Sequence, residues 1–362
     1  MKVIEFGSEF DWDSNVPFQT ITGQQYFDEC NLQKFRSGRD ALKAVAIGFQ
    51  NQTSTVLLPA LCCESMVSPF VLNGYKVVFY KINEDYTADV DDVEKKLEQG
   101  CLLLYMSYFG VKPFAVLCLQ RWKEQKACVL IEDRTQNALH KMEQQEFTPD
   151  VIISSIRKWI ALPDGGLLWS KKYFKDNTKS ELSFTQQRFE AMRKKSAYLS
   201  DGLEEVKTAY RQMLQWSAEK LDEDADAYTI SSQSDDMLKR MDFRRILLAR
   251  QRNVETLKEM LNDCTLQNKV KYVTEKPEES ALYFPILVEK RDELQKALAK
   301  KNIYCPVIWP IPQEAQGICE VAEYTANHML ALPCDQRYTT DDMKYIAEVV
   351  QSLLSESIKV KS

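Results

Sequence analysis

The chain has 362 residues and a formal net charge of −6, with 44% hydrophobic and 28% charged residues. This length is more than one compact core usually holds, so we expect two domains. The negative charge argues against nucleic acid or an anionic membrane as a partner. No apolar run is long enough to span a bilayer, and the first residues lack the apolar core of a signal peptide.

The cysteines and histidines indicate a cytoplasmic protein without a metal site. Most of the ten cysteines lie in or beside apolar runs, as expected of reduced, packed thiols rather than disulfides. The chain has only two histidines and no pair of cysteines separated by two residues. We therefore predict no metal site and disfavour a Ser-His-Asp or Cys-His catalytic arrangement.

Short apolar runs in the first half predict the strands of a mainly parallel sheet. They recur roughly every 20 to 25 residues, the period of βα units, and lie at 56–58, 76–80, 102–106, 128–131, 151–153 and 167–169. The patterns between them predict helices at 40–50, 90–99 and 113–125. The link between the last two runs is short, so these two strands can also join as an antiparallel hairpin.

The second half has a different pattern of predicted helices and strands. Residues 181–223 predict one or two long amphipathic helices, with the basic run 193–195 on a solvated face, followed by a hinge loop at 222–226. Further helices are predicted at 236–262, 291–301 and 340–355, and strands at 283–288 and 306–309. The predicted fold is α/β: a large domain over 1–235 with a mainly parallel sheet flanked by helices, and a smaller α+β domain over 236–362.

One lysine and one carboxylate fall at the expected ligand-binding edge of the sheet. Lys158 follows the run 151–153 and precedes Gly165-Gly166, while Asp133 comes two residues after the run that ends at Ile131. Open α/β sheets bind ligands at the carboxyl ends of their strands. A lysine amine and a carboxylate are what pyridoxal phosphate enzymes need, the amine for a Schiff base and the carboxylate to keep the ring nitrogen protonated.

Other candidate residues have a structural and a functional interpretation. Ser37-Gly38 before a helix is compatible with an ordinary cap or with a phosphate site at the helix N-terminus. Ser154 and Ser155 either bind a phosphate or bond the backbone, and Gln136 either binds a ring substituent or is a polar loop residue. Four arginines are candidates for an anionic substrate group or for surface ion pairs: Arg39, Arg134, Arg188 and Arg337.

Four ordered motifs resemble those of the DegT/DnrJ/EryC1/StrS family of fold-type I pyridoxal phosphate aminotransferases, known for aminating keto-sugars linked to nucleotides. They are Ser37-Gly-Arg-Asp-Ala-Leu42, Pro59-Ala-Leu-Cys-Cys63, Ile131-Glu-Asp-Arg-Thr-Gln136 and Lys158-Trp-Ile-Ala-Leu-Pro-Asp-Gly-Gly166. The similarity covers about residues 35–170 and resumes weakly over about 242–350.

The resemblance implies a role for each matched residue. Lys158 would carry the cofactor as a Schiff base, Asp133 would pair with the pyridine nitrogen, and Gln136 would lie beside the ring hydroxyl. Ser37 and the backbone of Gly38, Arg39 and Asp40 would hold the phosphate, together with Ser155 or Ser154. Members that dehydrate sugars have histidine in place of the lysine, so Lys158 favours amino transfer.

The chain departs from the family pattern at three places. Cys63 stands where the family stacks an aromatic ring on the cofactor. Ser154 and Ser155 stand four and three residues before the lysine, where the family places a serine five before it. The family's Asn-Tyr-Arg-Met element, which in many members reaches the partner subunit's site, is not recognisable, and the helical stretch 181–225 takes its place.

We therefore predict a homodimeric pyridoxal phosphate aminotransferase that moves an amino group from a donor such as glutamate to a keto-sugar, including a nucleotide-linked one, or to another small carbonyl acceptor. Two alternatives stay open: another reaction on the same cofactor, such as elimination or decarboxylation, and a non-catalytic binding module that keeps the fold. Sulfur transfer through Cys63 is a further, weaker alternative, because a desulfurase needs a mobile, exposed cysteine.

Overall fold

The computed structural model describes residues 3–20, 27, 30–140, 148–175, 182–262, 270–273 and 280–359. Its larger sheet has seven strands in the order β1-β7-β6-β5-β4-β2-β3. They span Leu32–Phe35, Thr55–Pro59, Lys76–Tyr80, Leu102–Met106, Val129–Asp133, Val151–Ser154 and Gly166–Trp169, numbered β1 to β7 along the chain. The five strands β2 to β6 run parallel, whereas β7 is antiparallel to both of its neighbours, β6 and β1. The hairpin alternative for the last two predicted strands is therefore the observed one.

Four helices alternate with the first strands. They are α1 (Gly38–Phe49), α2 (Glu64–Val71), α3 (Val90–Lys96) and α4 (Val116–Lys126). The central strands β2 and β4 are buried along their whole length, as the continuous apolar runs predicted. The parallel direction places the carboxyl ends of β2, β5 and β6 at one edge of the sheet, where the N-terminus of α1 also lies.

The long helical stretch forms a hairpin of two helices, α5 (Leu182–Asp201) and α6 (Glu204–Glu223), which Gly202 joins with a φ of +76°. Residue 181, where the prediction began, lies outside the described residues. The C-terminal end of α6 contacts the beginning of α1. Lys43 Nζ donates to Leu221 O over 3.1 Å, and Arg36 Nη1, just before α1, pairs with Asp224 Oδ2 at 2.7 Å. The hairpin thus packs beside the N-terminal half of α1.

The C-terminal part combines helices with a small antiparallel sheet. Its helices are α7 (Ser232–Leu238), α8 (Phe243–Leu261), α9 (Arg291–Ala299), α10 (Glu320–His328) and α11 (Thr340–Lys359), and its strands β8 (Lys271–Tyr272), β9 (Phe284–Leu287) and β10 (Met329–Leu332) lie in the order β10-β9-β8. The predicted helix 236–262 is two helices, because Asp242 caps a new one by accepting from Arg245 N over 3.0 Å. The predicted strand 306–309 is wrong, since these residues form a loop.

The α/β architecture agrees with the prediction, and the boundary at 235/236 stays a prediction. The N-terminal segment pairs with the C-terminal part, since Phe6 forms a parallel bridge with Ile303. No helix among the described residues is long and apolar enough to cross a membrane, and these residues contain no group of three or more His, Cys, Asp or Glu side chains placed to hold a metal ion.

Candidate active site

Lys158 lies in a short turn that is anchored by its neighbour Trp159. Strand β6 ends at Ser154, and one turn of 3-10 helix, Ile156–Lys158, follows it. The indole of Trp159 is fully buried and donates from Nε1 to Thr135 O over 2.8 Å. The carbonyl oxygen of Trp159 accepts from Arg250 Nη2 at 3.1 Å and from Gln336 Nε2 at 2.8 Å. These bonds fix the backbone beside Lys158, whose own side chain is half-buried and lines a cavity.

Asp133 is the last residue of β5 and lines the same cavity. Its carboxylate is buried, and Oδ1 accepts from Thr135 N over 2.8 Å. Burial raises the pKa of Asp133 above its ordinary value, while the hydrogen bonds from Thr135 and the charge of Lys158 oppose this rise. The preceding residue, Glu132, points to the opposite face of the strand, as strand geometry requires, and pairs with Arg134 at 3.4 Å.

The N-terminus of α1 opens into this cavity. Ser37 is the N-cap: its Oγ accepts from Asp40 N over 3.0 Å, as in an ordinary cap. The N–H groups of Gly38 and Arg39 belong to the first turn, where a helix offers no internal acceptor, so they are left for a ligand. The helix approaches closely: a Cβ on Gly38 would lie 3.1 Å from Ser155 Cβ, and one on Gly166 would lie 2.2 Å from the Ser37 carbonyl.

Two adjoining cavities meet at Arg157 and Lys158, which line both. The smaller one, about 70 Å³, is lined by seven of the predicted residues: Ser37, Gly38, Arg39, Cys63, Asp133, Ser155 and Lys158. The larger one, about 420 Å³, lies between the N-terminal segment and the C-terminal part and has the size of a small-molecule site. The predicted residues are thus brought together at one place, although their individual roles stay predictions.

Three predicted cofactor residues lie elsewhere. Gln136 lines the larger cavity, and its Oε1 is 3.3 Å from Ser280 Oγ. Asp40 lines neither cavity, because Arg36 Nε and Nη2 hold its carboxylate at 3.0 and 2.8 Å and its amide bonds Ser37. Ser154 is fully buried and also lines neither cavity, so Ser155 is the serine placed to reach a phosphate.

Several lining residues were not predicted. In the smaller cavity they include Thr135, Arg157 and Leu221, the last from the end of α6. The larger cavity is lined by the N-terminal residues 7–10, by Tyr283 and by residues 306–309, among others. Arg157 could have been found from its position directly before Lys158. The N-terminal residues carry no motif, and only the fold brings them to the site.

The residues present fit pyridoxal phosphate. An amine and a buried carboxylate line one cavity, and free helix N–H groups on its wall can bind a phosphate. The two glycines matter here, since side chains at Gly38 or Gly166 would push α1 away from the Lys158 turn. Cys63 is half-buried on the cavity wall, with its Sγ 2.9 Å from Ser65 Oγ, so a thiol replaces the expected aromatic ring.

The fold and this cavity define the class of fold-type I pyridoxal phosphate enzymes. The family model of the DegT/DnrJ/EryC1/StrS aminotransferase family matches residues 236–351, the C-terminal part of the chain. The match lies in the part of the chain where the sequence resemblance was weaker, about 242–350, and supports the same family as the motifs at 37–166. The solved structures described next confirm the predicted fold, and the family match supports the predicted aminotransferase class with its cofactor, pyridoxal phosphate.

Solved structures with the same fold include several aminotransferases. Spr1654 of Streptococcus pneumoniae, proposed to be a sugar aminotransferase, superposes with a TM-score of 0.67 at 14% identity, and the match covers 99% of each chain. PseC of Helicobacter pylori, an aminotransferase of pseudoaminic acid biosynthesis, gives 0.62 at 15% identity, with 98% of this chain and 100% of PseC covered. NtdA of Bacillus subtilis, solved with bound PMP, gives 0.62 at 14% identity over 90% of this chain and 73% of NtdA. No curated protein sequence matches the chain.

Proposed function

We propose that the protein transfers an amino group from an amino acid such as glutamate to a keto-sugar, including one linked to a nucleotide, or to another small carbonyl compound. The observation that carries this proposal is the meeting of Lys158 and Asp133 on the wall of one cavity, into which the N-terminus of α1 opens. Structural similarity to PseC and Spr1654 supports a sugar as the acceptor.

Five residues of the smaller cavity have a proposed task. Pyridoxal phosphate, when bound, supplies an electron sink conjugated to the amine that it carries. Lys158 Nζ would hold the cofactor and, once freed by the substrate amine, would serve as the general acid and base that transfers the proton. The Asp133 carboxylate holds a proton on the ring nitrogen. The N–H groups of Gly38 and Arg39, with Ser155 Oγ, bind the phosphate.

The test begins with the absorbance spectrum of the protein mixed with pyridoxal phosphate, before and after borohydride, followed by peptide mapping. We expect a visible band that reduction removes and a label on Lys158. Lys158→Ala should lose the label and all turnover while keeping its circular dichroism spectrum and melting temperature. Full transaminase activity in Lys158→Ala would refute the proposal.

The amino donor separates transamination from the alternatives. Added glutamate should convert the cofactor to its amine form and release 2-oxoglutarate in equal amount. Release of carbon dioxide or of an eliminated group instead would assign another reaction on the same cofactor. Binding of the cofactor without any turnover would support the non-catalytic module, for which the thiol of Cys63 at the stacking position is the motivation.

The proposed setting is a homodimer in the cytoplasm, which acts on small molecules and binds neither nucleic acid nor membrane. Sites of this fold class usually lie between two subunits, and the proposal of a dimer rests on that resemblance. Sedimentation equilibrium of the purified protein tests it, with a mass near 84 kDa expected from twice the chain mass of 42.0 kDa.

A further inference from the structure

Arg157 borders both cavities, and among the residues that the structure describes its guanidinium has no hydrogen-bond or ion-pair partner. Arg157 directly precedes Lys158, and its Nε is buried without a hydrogen-bond partner. The residue is half-buried, and leaving its buried Nε without a partner is costly, so a partner from outside the chain is the simplest compensation.

The other two arginines of the larger cavity are already committed. Arg250 donates to Gln336 Oε1 at 2.8 Å and to the backbone oxygens of Ala281, Leu282 and Trp159 at 3.0 to 3.2 Å. Arg337 pairs with Asp335 at 2.8 Å through both Nε and Nη2. These two side chains stabilise the cavity wall, whereas Arg157 is free to bind a ligand.

A second arginine adds to the positive charge around Arg157. Arg188 lies on α5, is buried, and has an Nε that is also without a partner. Its nearest acid is Glu9, with Arg188 Nη2 3.4 Å from Glu9 Oε2. The Glu9 side chain is 54% exposed, so it is a weak, solvated counter-charge for two guanidinium groups. Burial and the charge of Arg188 lower the pKa of Arg157 to about 10, while Glu9 opposes this shift.

We propose that Arg157, supported by Arg188, binds the carboxylate of the substrate that reacts at Lys158. A planar guanidinium matches a carboxylate with two parallel hydrogen bonds, which fixes the orientation of the substrate as well as its affinity. The side chain adjoins the reactive amine in sequence and borders the larger cavity, where a substrate has room. The inference rests on the proposed function, because there the amino donor is the molecule that carries the carboxylate.

The cofactor phosphate is the competing anion for Arg157. The cavity already offers the phosphate the N–H groups of Gly38 and Arg39 and the hydroxyl of Ser155 at the N-terminus of α1. That terminus belongs to the smaller cavity only, whereas Arg157 also faces the larger one. This arrangement favours the substrate carboxylate, and the two anions can be separated by experiment.

The experiment is calorimetric titration of the purified protein with succinate, a dicarboxylate without an amine, in the presence and absence of pyridoxal phosphate. We expect Arg157→Gln to weaken succinate binding roughly 10- to 100-fold, the value of charge-assisted bonds to one guanidinium. Arg157→Lys should recover part of the affinity, and Arg188→Gln should lose less than Arg157→Gln. The matched control is Arg193→Gln, which removes an exposed arginine of the same helix as Arg188 and should bind succinate like the parent protein.

Three outcomes decide the matter. Unchanged succinate affinity in Arg157→Gln, with unchanged circular dichroism, overturns the inference. A loss of pyridoxal phosphate affinity with normal succinate binding assigns Arg157 to the cofactor and overturns it as well. Succinate binding that depends on Arg157 in a protein that never turns over supports the inference while the proposed function fails. In an active enzyme, Arg157→Gln should raise the KM for the amino donor more than it lowers kcat.

Discussion

Replacing Asp133 by asparagine should lower turnover strongly while making the cofactor-free protein more stable. The carboxylate is buried at the end of β5, and its Oδ1 accepts one hydrogen bond from Thr135 N, which an amide oxygen can keep. In the loaded enzyme the carboxylate would face a protonated ring nitrogen. Removing one partner of a buried ion pair costs about 3 to 5 kcal/mol. At 1.36 kcal/mol per factor of ten this corresponds to roughly a 150- to 5,000-fold loss in kcat.

The stability effect has the opposite sign. Burial raises the pKa of Asp133, so in the absence of cofactor the folded chain disfavours the ionised form. The folded state then binds more protons than the unfolded state, and stability is lost as the pH rises above the ordinary aspartate pKa. At neutral pH the uncharged amide introduced by Asp133→Asn avoids this loss, and the melting temperature of that variant without cofactor should exceed that of the parent protein.

The assay combines single-turnover kinetics with glutamate and thermal melting without cofactor. Glu132→Gln is the matched control: it neutralises the neighbouring carboxylate, which points to the opposite face of β5, and should leave kcat within about threefold because Glu132 does not line the cavity. Borohydride labelling should still reach Lys158 in both variants. A kcat for Asp133→Asn equal to that of the parent protein would refute the role of Asp133 as the partner of the ring nitrogen.

Two further predictions concern the stability of the protein. Gly166→Ala should destabilise the protein by more than about 3 kcal/mol, because overpacking against backbone leaves no flexible atom to move, and its Cβ would lie 2.2 Å from the Ser37 carbonyl. The control is Gly100→Ala, whose added Cβ meets nothing within 4 Å but whose φ is +70°, and it should lower the free energy of unfolding by only about 1 kcal/mol. Both values are measured by urea titration, and equal losses in the two variants would contradict the close approach at Gly166. Lys195, predicted to lie on a solvated helix face, is instead buried. Burial lowers its pKa to about 8 from 10.5, so the folded state binds fewer protons than the unfolded state in this range and stability should rise with pH across it. Lys195→Met should lack that rise, and identical urea midpoints of the two proteins at every pH from 8 to 10 would exclude the effect.

The sheet and the central site residues were predictable because their signal is local. Continuous apolar runs marked five parallel strands, and a residue just past such a run lies at the carboxyl end of the strand, as Asp133 and Lys158 do. Strand β1 was missed because it is only partly buried and has mixed composition, LQKF, without an apolar run. The loop 306–309 resembles a strand in sequence because its residues are apolar. In the structure they line a cavity, and although Ala331 N of β10 donates to Pro306 O over 3.0 Å, this described segment forms no strand ladder.

The role of Arg157 could not be predicted from the sequence, because whether an arginine has an acidic partner depends on the tertiary structure. Arg39, Arg134, Arg188 and Arg337 were the sequence candidates, and each of them has an acid nearby: Asp222, Glu132, Glu9 and Asp335. Which arginine lacks such a partner follows only from how α5, the N-terminal segment and the C-terminal part are arranged. The same holds for Gln136, whose side chain faces the larger cavity rather than the smaller one.

The N-terminal segment that closes the larger cavity has consequences for the order of folding. Gly7 N donates to Tyr338 Oη over 2.7 Å, and Arg337 Nη2 donates to Ser8 O over 2.8 Å, so partners more than 300 residues apart meet at the site. Contacts of such sequence separation form late, after the local units have collapsed. During synthesis the segment precedes these partners by more than 300 residues, although α5, which also contacts it through Lys195 and Ser8 at 2.6 Å, is made earlier. In refolding experiments, the recovery of succinate binding should therefore lag behind the recovery of helical circular dichroism.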